Sequence, residues 1–407
     1  MTQLASLTSR VTPTERGDRV EQLDSVRGLA ALSVVFCHHL LVFPFVWNVY
    51  ASKYPGSNEA VLLFPPAYIF WAGHSAVVLF FVLSGYVLFL PVMQGRQPTY
   101  THYVLKRFCR IYLPYAVAMA VTLFAASVLS RGEIPELSWW FRTSWNVQVE
   151  PRHIVEHALM LPEFDTERFN NPIWSLVHEM RVSLVFPFLA LLVVRLRWPA
   201  CLAVAACLSL AGCFGPQLHW RLQPLTGYGL TTHYAAMFVL GALLAKHRQG
   251  LGARLSTAPR LAWFGLVGVG AVLYASEGLH PAARIGPWVH QFEYLTAAGA
   301  TILVASAASA AWLRAAPIVW LGRVSYSLYL WHLPVLLATV HVGYGHLPLW
   351  SLLTLSLALA LIMAGLMHRL VEAPAARLPK LMGENASHGP KADLELHNQV
   401  KLASPVA

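Results

Sequence analysis

The feature that leaves this chain the fewest choices is a succession of apolar stretches, each close to the length of a bilayer crossing. A helix needs about twenty apolar residues to span the hydrocarbon core. Inside that core every backbone polar group must be satisfied within its own segment. Stretches at about 25–45, 67–92, 108–129, 173–194, 198–214, 232–246, 260–276, 289–312, 318–341 and 347–369 meet the requirement, so about ten helices are expected. The chain therefore reads as an all-α polytopic membrane protein. Of its 407 residues 57% are hydrophobic and 12% charged, about half the charge fraction of soluble domains. That excludes a soluble enzyme on a single anchor.

The net charge of +10 then bears on orientation rather than on nucleic acid. Basic residues collect in cytoplasmic loops. With the N-terminus inside and the spans alternating, the inner segments hold Arg10, Arg16, Arg19, Arg96, Lys106, Arg107, Arg195, Arg197, Lys246, Arg248, Arg254, Arg260, Arg314, Arg323, Arg377 and Lys380. The outer segments hold fewer, chiefly Lys53, Arg131, Arg142, Arg152, Arg168, Arg221 and Arg284. The bias predicts N-in and C-in. Residues 1–22 are polar and lack the apolar core of a secretory signal, so they read as a cytoplasmic tail. Residues 23–379 form the transmembrane domain, and 380–407 read as a disordered cytoplasmic tail. Cys37, Cys109, Cys201, Cys207 and Cys213 fall in or beside apolar segments without ligand spacing, and read as buried small residues.

Ionisable groups inside apolar spans are costly and by default mark a site. The stretch Leu23–Leu41 carries Arg27 near its start and His38 and His39 within it. Arg27 and His38 are eleven residues apart, which puts them on one helix face about 16 Å apart along the axis. One end suits an anion and the other suits proton handling. The plainer alternatives are a cytoplasmic anchor for Arg27 and a satisfied core histidine for His38. In the second span FFVLSGY contains Ser84 and Gly85, which read first as small residues for close helix packing. LKRFCRIYLPY opens the third span with Lys106, Arg107 and Arg110; two arginines three apart are neighbours on one face and suit phosphate groups. NPIWSLVHEMRVSLVFP brings Trp174, His178, Glu179 and Arg181 into the fourth. RVSYSLYLWHLP brings Tyr326, Tyr329, Trp331 and His332 into the ninth, where His332 could meet Glu179 or His38. The long outer loop 130–172 holds Glu133, Glu136, Glu150, Glu156, Glu163, Asp165 and Glu167 beside Trp139, Trp140 and Trp145. Such a mix suits carbohydrate, although tryptophan at a membrane boundary is more often an interface belt. Within that loop His153–Leu161 reads as a helix lying on the membrane surface.

Taken in order, these stretches resemble the acyltransferase-3 family of integral membrane O-acyltransferases. The matching pieces are Arg27 with His38, FFVLSGY, RFCRIYLPY, PIWSLVHE, LGRVSYSLYLWHLP and LVEAP around Glu372 and Pro374, over about residues 23–378. His178 before Glu179 departs from the usual pattern, and no room is seen for the fused extracytoplasmic hydrolase-like domain of some members. The resemblance implies transfer of an acyl group, with acetyl expected, from cytoplasmic acyl-coenzyme A to a hydroxyl of an extracytoplasmic saccharide such as exopolysaccharide or O-antigen. It implies a multi-pass protein of the cytoplasmic (inner) membrane, acyl-CoA and a saccharide as partners, no metal and no nucleic acid, and room for polysaccharide assembly partners. On that reading Arg27, Arg107 and Arg110 hold the phosphates of coenzyme A. His38 is the general base, as a neutral imidazole in a dry site, or forms a transient acyl-histidine. Glu179 or His332 orients the base or polarises the acceptor; Tyr326, Trp331, Ser84 and His39 support the site. Loops 130–172 and 215–231 are expected to choose the acceptor. The competing readings are a transporter or flippase, for which inverted repeats and broken helices would be the sign, and a scaffolding subunit, which leaves the buried Arg, His and Glu unexplained.

Overall fold

A computed structural model describes residues 13–51, 65–95, 98–218, 226–279 and 293–379; side chains of 13–20, 65, 215–218 and 279 are not described. The expected tails 1–12 and 380–407, and 219–225 of the second acceptor loop, lie outside the described residues. Helices follow one another as α1 (Pro13–Leu41), α2 (Pro44–Tyr50), α3 (Pro65–Tyr68), α4 (Gly73–Met93), α5 (Tyr100–Leu129), α6 (Trp139–Thr143), α7 (Pro151–Leu159), α8 (Glu167–Asn170), α9 (Ile173–Arg195), α10 (Trp198–Leu218), α11 (Thr226–Thr257), α12 (Arg260–Tyr274), α13 (Glu293–Ala307), α14 (Ala316–Gly343) and α15 (Leu349–Met367). A π-helical turn, His368–Glu372, continues α15. No strand occurs among the described residues; one isolated bridge joins Tyr344 and Leu347.

Each apolar stretch named from the sequence contains a helix, but 25–45 and 67–92 run across breaks at 42–43 and 69–72, and 289–292 lie outside the described residues. Among the described residues five helices are long and apolar enough to cross a membrane, fewer than the ten expected: α4, α5, α9, α11 and the Leu349–Pro379 run. A sixth crossing is reached if α1 and α2, bent by 118°, count as one. Several boundaries differ from expectation: α5 starts at Tyr100 rather than 108, α11 runs Thr226–Thr257 rather than 232–246 and so takes up part of the loop read at 215–231, and α1 differs at both ends. Helix α1 starts at Pro13, inside the segment read as a polar tail, and within it Gln22 and Ser25 are buried and bond the carbonyls of Ala310 and Leu313 at 3.1 and 2.7 Å. It ends at Leu41, where Pro44 at the first position of α2 redirects the chain. Cys207 is exposed, against the expectation that all five cysteines are buried; the others are buried as expected.

Small residues set which helices touch. A Cβ on Gly28 would stand 2.5 Å from the Gly322 backbone nitrogen, and one on Gly322 would stand 2.5 Å from Asp24 backbone atoms. Helices α1 and α14 therefore meet backbone to backbone. Gly241 and Gly85 do the same for α4 and α11, at 1.9 and 2.1 Å from the carbonyl oxygens of Val82 and Phe238. The packing reading of Gly85 thus holds.

Two of the proline breaks inside the helices, at Pro187 and Pro334, are filled from neighbours. Pro334 has no N–H for the carbonyl of Leu330, and Asn170 Nδ2 donates to that oxygen at 3.1 Å. Pro187 likewise frees the carbonyl of Ser183, which accepts from Tyr103 Oη at 2.9 Å. In an apolar interior each such bond removes a penalty of about 1–3 kcal/mol for an unmet polar group. These bonds fix α8 against α14 and α5 against α9, the helices that build the site.

Candidate functional site

The parallel course of α1 and α14 brings the histidines together. Gly28 meets Gly322, and ten residues further along both helices His38 meets His332, at the same offset of 294 residues. Their rings lie 10° from coplanar, and His38 Nδ1 is 2.8 Å from His332 Nε2. The protons can be assigned from the bonding. His332 Nδ1 sits 3.0 Å from the Leu328 carbonyl oxygen, which only accepts, so that nitrogen carries the hydrogen. In a neutral ring Nε2 is then bare, and the hydrogen between the rings belongs to His38 Nδ1. The lone pair of His38 is left on Nε2. The chain is a fixed relay: carbonyl, imidazole, imidazole, open lone pair. It is the arrangement in which one group holds a base in a single tautomer and orientation.

His38 and Tyr329 line a cavity of about 500 Å³, within the range of small-molecule sites. Its walls carry Trp47, Trp139, Trp140 and Trp174 together with His74, Glu163, Glu167, His178 and Arg181. Helix α6 supplies the roof. Ser138 N donates to the Val42 carbonyl at 3.0 Å, and Ser138 Oγ caps α6 by accepting from Phe141 N at 3.1 Å. This pins Trp140 beside His38, with the rings 2° from parallel and 5.2 Å apart. Trp140 is 8% exposed, so it is a wall of the cavity rather than part of an interface belt. Trp139 is exposed but also lines the cavity and stacks on Trp47. Helix α7 turns Ile154, Val155 and Leu159 outward while His153 and His157 face inward, as a surface helix would. Burial holds His157 down, from 6.5 to about 4, and pushes the nearby Glu167 carboxyl up, with Asp165 adding to the effect.

The basic residues form a second centre. Helices α5 and α9 run antiparallel, with Tyr100 on Leu184, Tyr103 on Ser183 and Arg107 on Ser183 and Glu179. Arg107 Nη2 pairs with Glu179 Oε1 at 2.9 Å, and Ser84 Oγ donates to the same oxygen at 3.2 Å. Glu179 is thus not brought to His38; it neutralises Arg107 instead. An ionised carboxylate in an apolar bundle costs several kcal/mol unless paired, and here a cation and a hydroxyl meet it. Arg27 pairs with Asp24 at 2.8 Å. Arg110 stands within the electrostatic reach of Arg27, Arg107, Glu179 and Glu372, its side chain is exposed, and it makes no ion pair among the described residues. Glu372 accepts from Ser327 Oγ at 2.7 Å and is 3.0 Å from His368 Nδ1. Tyr326 donates to the Ile111 carbonyl at 2.7 Å, tying α14 to α5 beside Arg110.

The structure therefore joins Arg27, Arg107, Arg110, Glu179, Ser84 and Tyr326 at one end and His38 with His332 at the other. Arg27, Arg107 and Arg110 do not line the His38 cavity. Tyr329 stands between the ends: it lines the cavity, bonds Ser175 Oγ at 2.7 Å and feels the charge of Glu179. His39 is a satisfied core histidine, bonded to the Val35 carbonyl and to Ser356 Oγ at 2.8 Å each. Trp331 is buried in the apolar core. Sequence reasoning passed over His74, His233 and Glu293. Glu293 is 3% exposed and bonds His74 at 2.8 Å and His233 at 2.7 Å. The available signal was the one applied elsewhere, an ionisable residue within an apolar run.

Among proteins of known family, the acyltransferase-3 model, an acyltransferase domain, matches residues 20–369. Acyltransferase MdmB of Streptomyces mycarofaciens is 26% identical over 383 residues, covering 88% of this chain and 92% of that protein. O-acetyltransferase PaAT-1 of Phomopsis amygdali is 25% identical over 278 residues, covering 58% of this chain and 50% of that protein. No solved structure matches significantly.

Proposed function

The chain belongs to the acyltransferase-3 family, and on that premise we propose that it is a multi-pass O-acyltransferase moving an acetyl group from cytoplasmic acetyl-CoA to a saccharide hydroxyl outside the membrane. The observation that carries this reading is the His38–His332–Leu328 relay, which leaves His38 Nε2 as a lone pair beside a cavity walled by tryptophans and carboxylates. The topology that goes with it has about ten crossings, both termini in the cytoplasm and the cavity on the outer side, in the inner membrane.

His38 Nε2 takes the proton of the acceptor hydroxyl as the oxygen attacks the thioester carbonyl. A C–O bond forms, the C–S bond breaks, and the proton passes from His38 to the departing sulfur. His332 keeps the hydrogen of His38 on Nδ1 throughout and so keeps Nε2 basic toward substrate. No charge relay to a carboxylate is involved, because the relay ends on a backbone carbonyl. At the other end Arg110, with Arg27 and Arg107 around it, holds the phosphates of the donor. Its pantetheine arm crosses about 16 Å past Tyr329 to the cavity. The aromatic walls stack the acceptor ring, and Glu163 and Glu167 accept from its hydroxyls.

The test is thiol release from acetyl-CoA by purified protein in nanodiscs, together with acetyl analysis of the surface glycans of the producing cell. His38→Ala is expected to keep normal protein levels and to lower transfer by about 10²–10⁴-fold, with the glycan acetyl groups lost. Wild-type acetyl content in that variant removes His38 from the reaction. Substrate movement without acetyl-CoA consumption would turn the reading to a transporter.

A further inference from the structure

The reaction above gives no task to Arg181, a charged side chain on α9 beside the cavity. All three of its side-chain nitrogens are engaged. Nε and Nη2 donate to the carbonyls of Leu161 and Pro162 at 2.8 Å each, and Nη1 donates to Thr231 Oγ1 at 3.3 Å. The guanidinium carbon lies 4.3 Å from the centre of the Tyr228 ring. The planar fork is thus spent on two successive backbone carbonyls and on α11. The segment it clamps is a strap, residues 161–167, which runs from the end of α7 to the start of α8. Its first bend is strained. Met160 has φ 59° and ψ −36°, and Leu161 N donates to the Leu159 carbonyl at 2.7 Å, the pattern of the rare γ-turn with positive φ. Such a conformation persists only where its surroundings over-determine it, and it recurs at ligand clamps. The two carbonyls directly after this bend are the ones that Arg181 takes. A second tie follows: Glu163 Oε1 accepts from Tyr228 N at 3.0 Å, in the first turn of α11. At the far end Asp165 accepts from Glu167 N at 3.0 Å and pairs with Arg168. Five strap residues, Pro162, Glu163, Phe164, Thr166 and Glu167, line the cavity.

We propose that Arg181 is a positioning residue for the acceptor: it holds the strap against α9 and α11, and so keeps the carboxylates of Glu163 and Glu167 in the wall that meets a hydroxylated ring. The bend at Met160 favours release of the strap, and the arginine fork opposes it. Arg27, Arg107 and Arg110 do not line this cavity, so loss of Arg181 falls on the acceptor and not on the donor. This inference rests on the acyltransferase reading for its kinetic arm; its exchange and binding arms stand without it.

The experiment uses full-length protein in nanodiscs, with hydrogen exchange of the strap amides, calorimetric binding of a panel of p-nitrophenyl glycosides, and thiol release from acetyl-CoA as readouts. In Arg181→Gln the amides of 161–167 are expected to exchange about tenfold faster, while those around His38 and His332 do not change. The KM for the best glycoside is expected to rise about tenfold, with kcat within about threefold and the KM for acetyl-CoA within about twofold of wild type. A mere loss of folded protein would lower kcat and leave both KM values alone. Arg181→Lys is expected to recover part of both effects, since a lysine brings a point charge to the carbonyls but not a fork. Strap exchange at the wild-type rate in Arg181→Gln overturns the proposal. So does a loosened strap with a glycoside KM within about twofold of wild type, or donor and acceptor KM values rising together. If Arg181→Gln does not fold, Tyr228→Leu takes its place, because it removes the ring under the guanidinium and Tyr228 is not part of the cavity wall. The same shifts are then expected at about threefold, and their absence overturns the proposal. Wild-type protein that binds the glycosides but transfers no acetyl group defeats the enzymatic reading alone, and Arg181 is then judged by strap exchange and by whether Arg181→Gln weakens glycoside affinity about tenfold.

Discussion

The two ends of α1 are built on opposite principles. At the His38 end the relay itself holds no carboxylate: two imidazoles and a backbone carbonyl pass hydrogen bonds in one direction, toward His38 Nε2 beside the cavity. At the Arg27 end the side chains are charged, with Arg27 matched by Asp24 and Arg107 by Glu179, while Arg110 stands exposed among them. Neutral polar groups can be buried at little net cost when each is bonded, whereas buried ions are tolerated only in pairs. The difference separates two tasks: the first end can move a proton without carrying net charge into the bilayer, and the second can hold an anion without protonating anything.

The sharpest way to break this contrast is His332→Leu. The substitution leaves His38 in place but removes the acceptor for its Nδ1 hydrogen, so kcat for acetyl transfer is expected to fall by about two orders of magnitude, measured as thiol release. A fall of less than about threefold would mean that the tautomer of His38 is set by something other than His332. A smaller effect is expected at the other end. Arg110→Ala should raise the KM for acetyl-CoA about tenfold and Arg110→Lys should recover part of it, because a lysine keeps the charge but not the forked geometry. Combined with His332→Leu, the two losses should multiply, since the ends share no partner.

The helical face linking Arg27 to His38 was legible because it follows from helix geometry alone. The pairing was not. His332 was placed deep in its span, but nothing local to RVSYSLYLWHLP says which helix it meets. That is decided by Gly28 against Gly322, a contact between residues 294 positions apart. Glu179 reads from the sequence as either paired with a cation or orienting a base or hydroxyl, and the antiparallel packing of α5 and α9 gives it to Arg107. His74, His233 and Glu293 each stand alone in an apolar stretch and have meaning only once three helices converge. Trp140 was read as boundary aromatic because sequence cannot show that Ser138 ties α6 to the end of α1.

The smallest expected effect belongs to the outer loop and sharpens the comparison by adding a histidine that neither end uses. Burial holds the folded His157 at about 4 against an ordinary 6.5. The unfolded chain therefore binds a proton first as pH falls. The stability from this ring is complete above about 6.5 and is lost progressively toward about 4. Thermal unfolding at pH 7 and pH 4.5 should show a smaller drop for His157→Gln than for wild type; equal drops would assign the acid sensitivity elsewhere.

The glycine crossing of α1 and α14 has a consequence for how this enzyme can fail. The spacing between the two imidazoles is gauged by a pair of absent methyl groups three turns away, at Gly28 and Gly322. A lesion there touches neither ring and yet shifts His38 against His332. Alleles that silence the protein should therefore be sought along the whole seam between these two helices, and a small molecule wedged into that seam would disarm the chemistry without competing for either ligand.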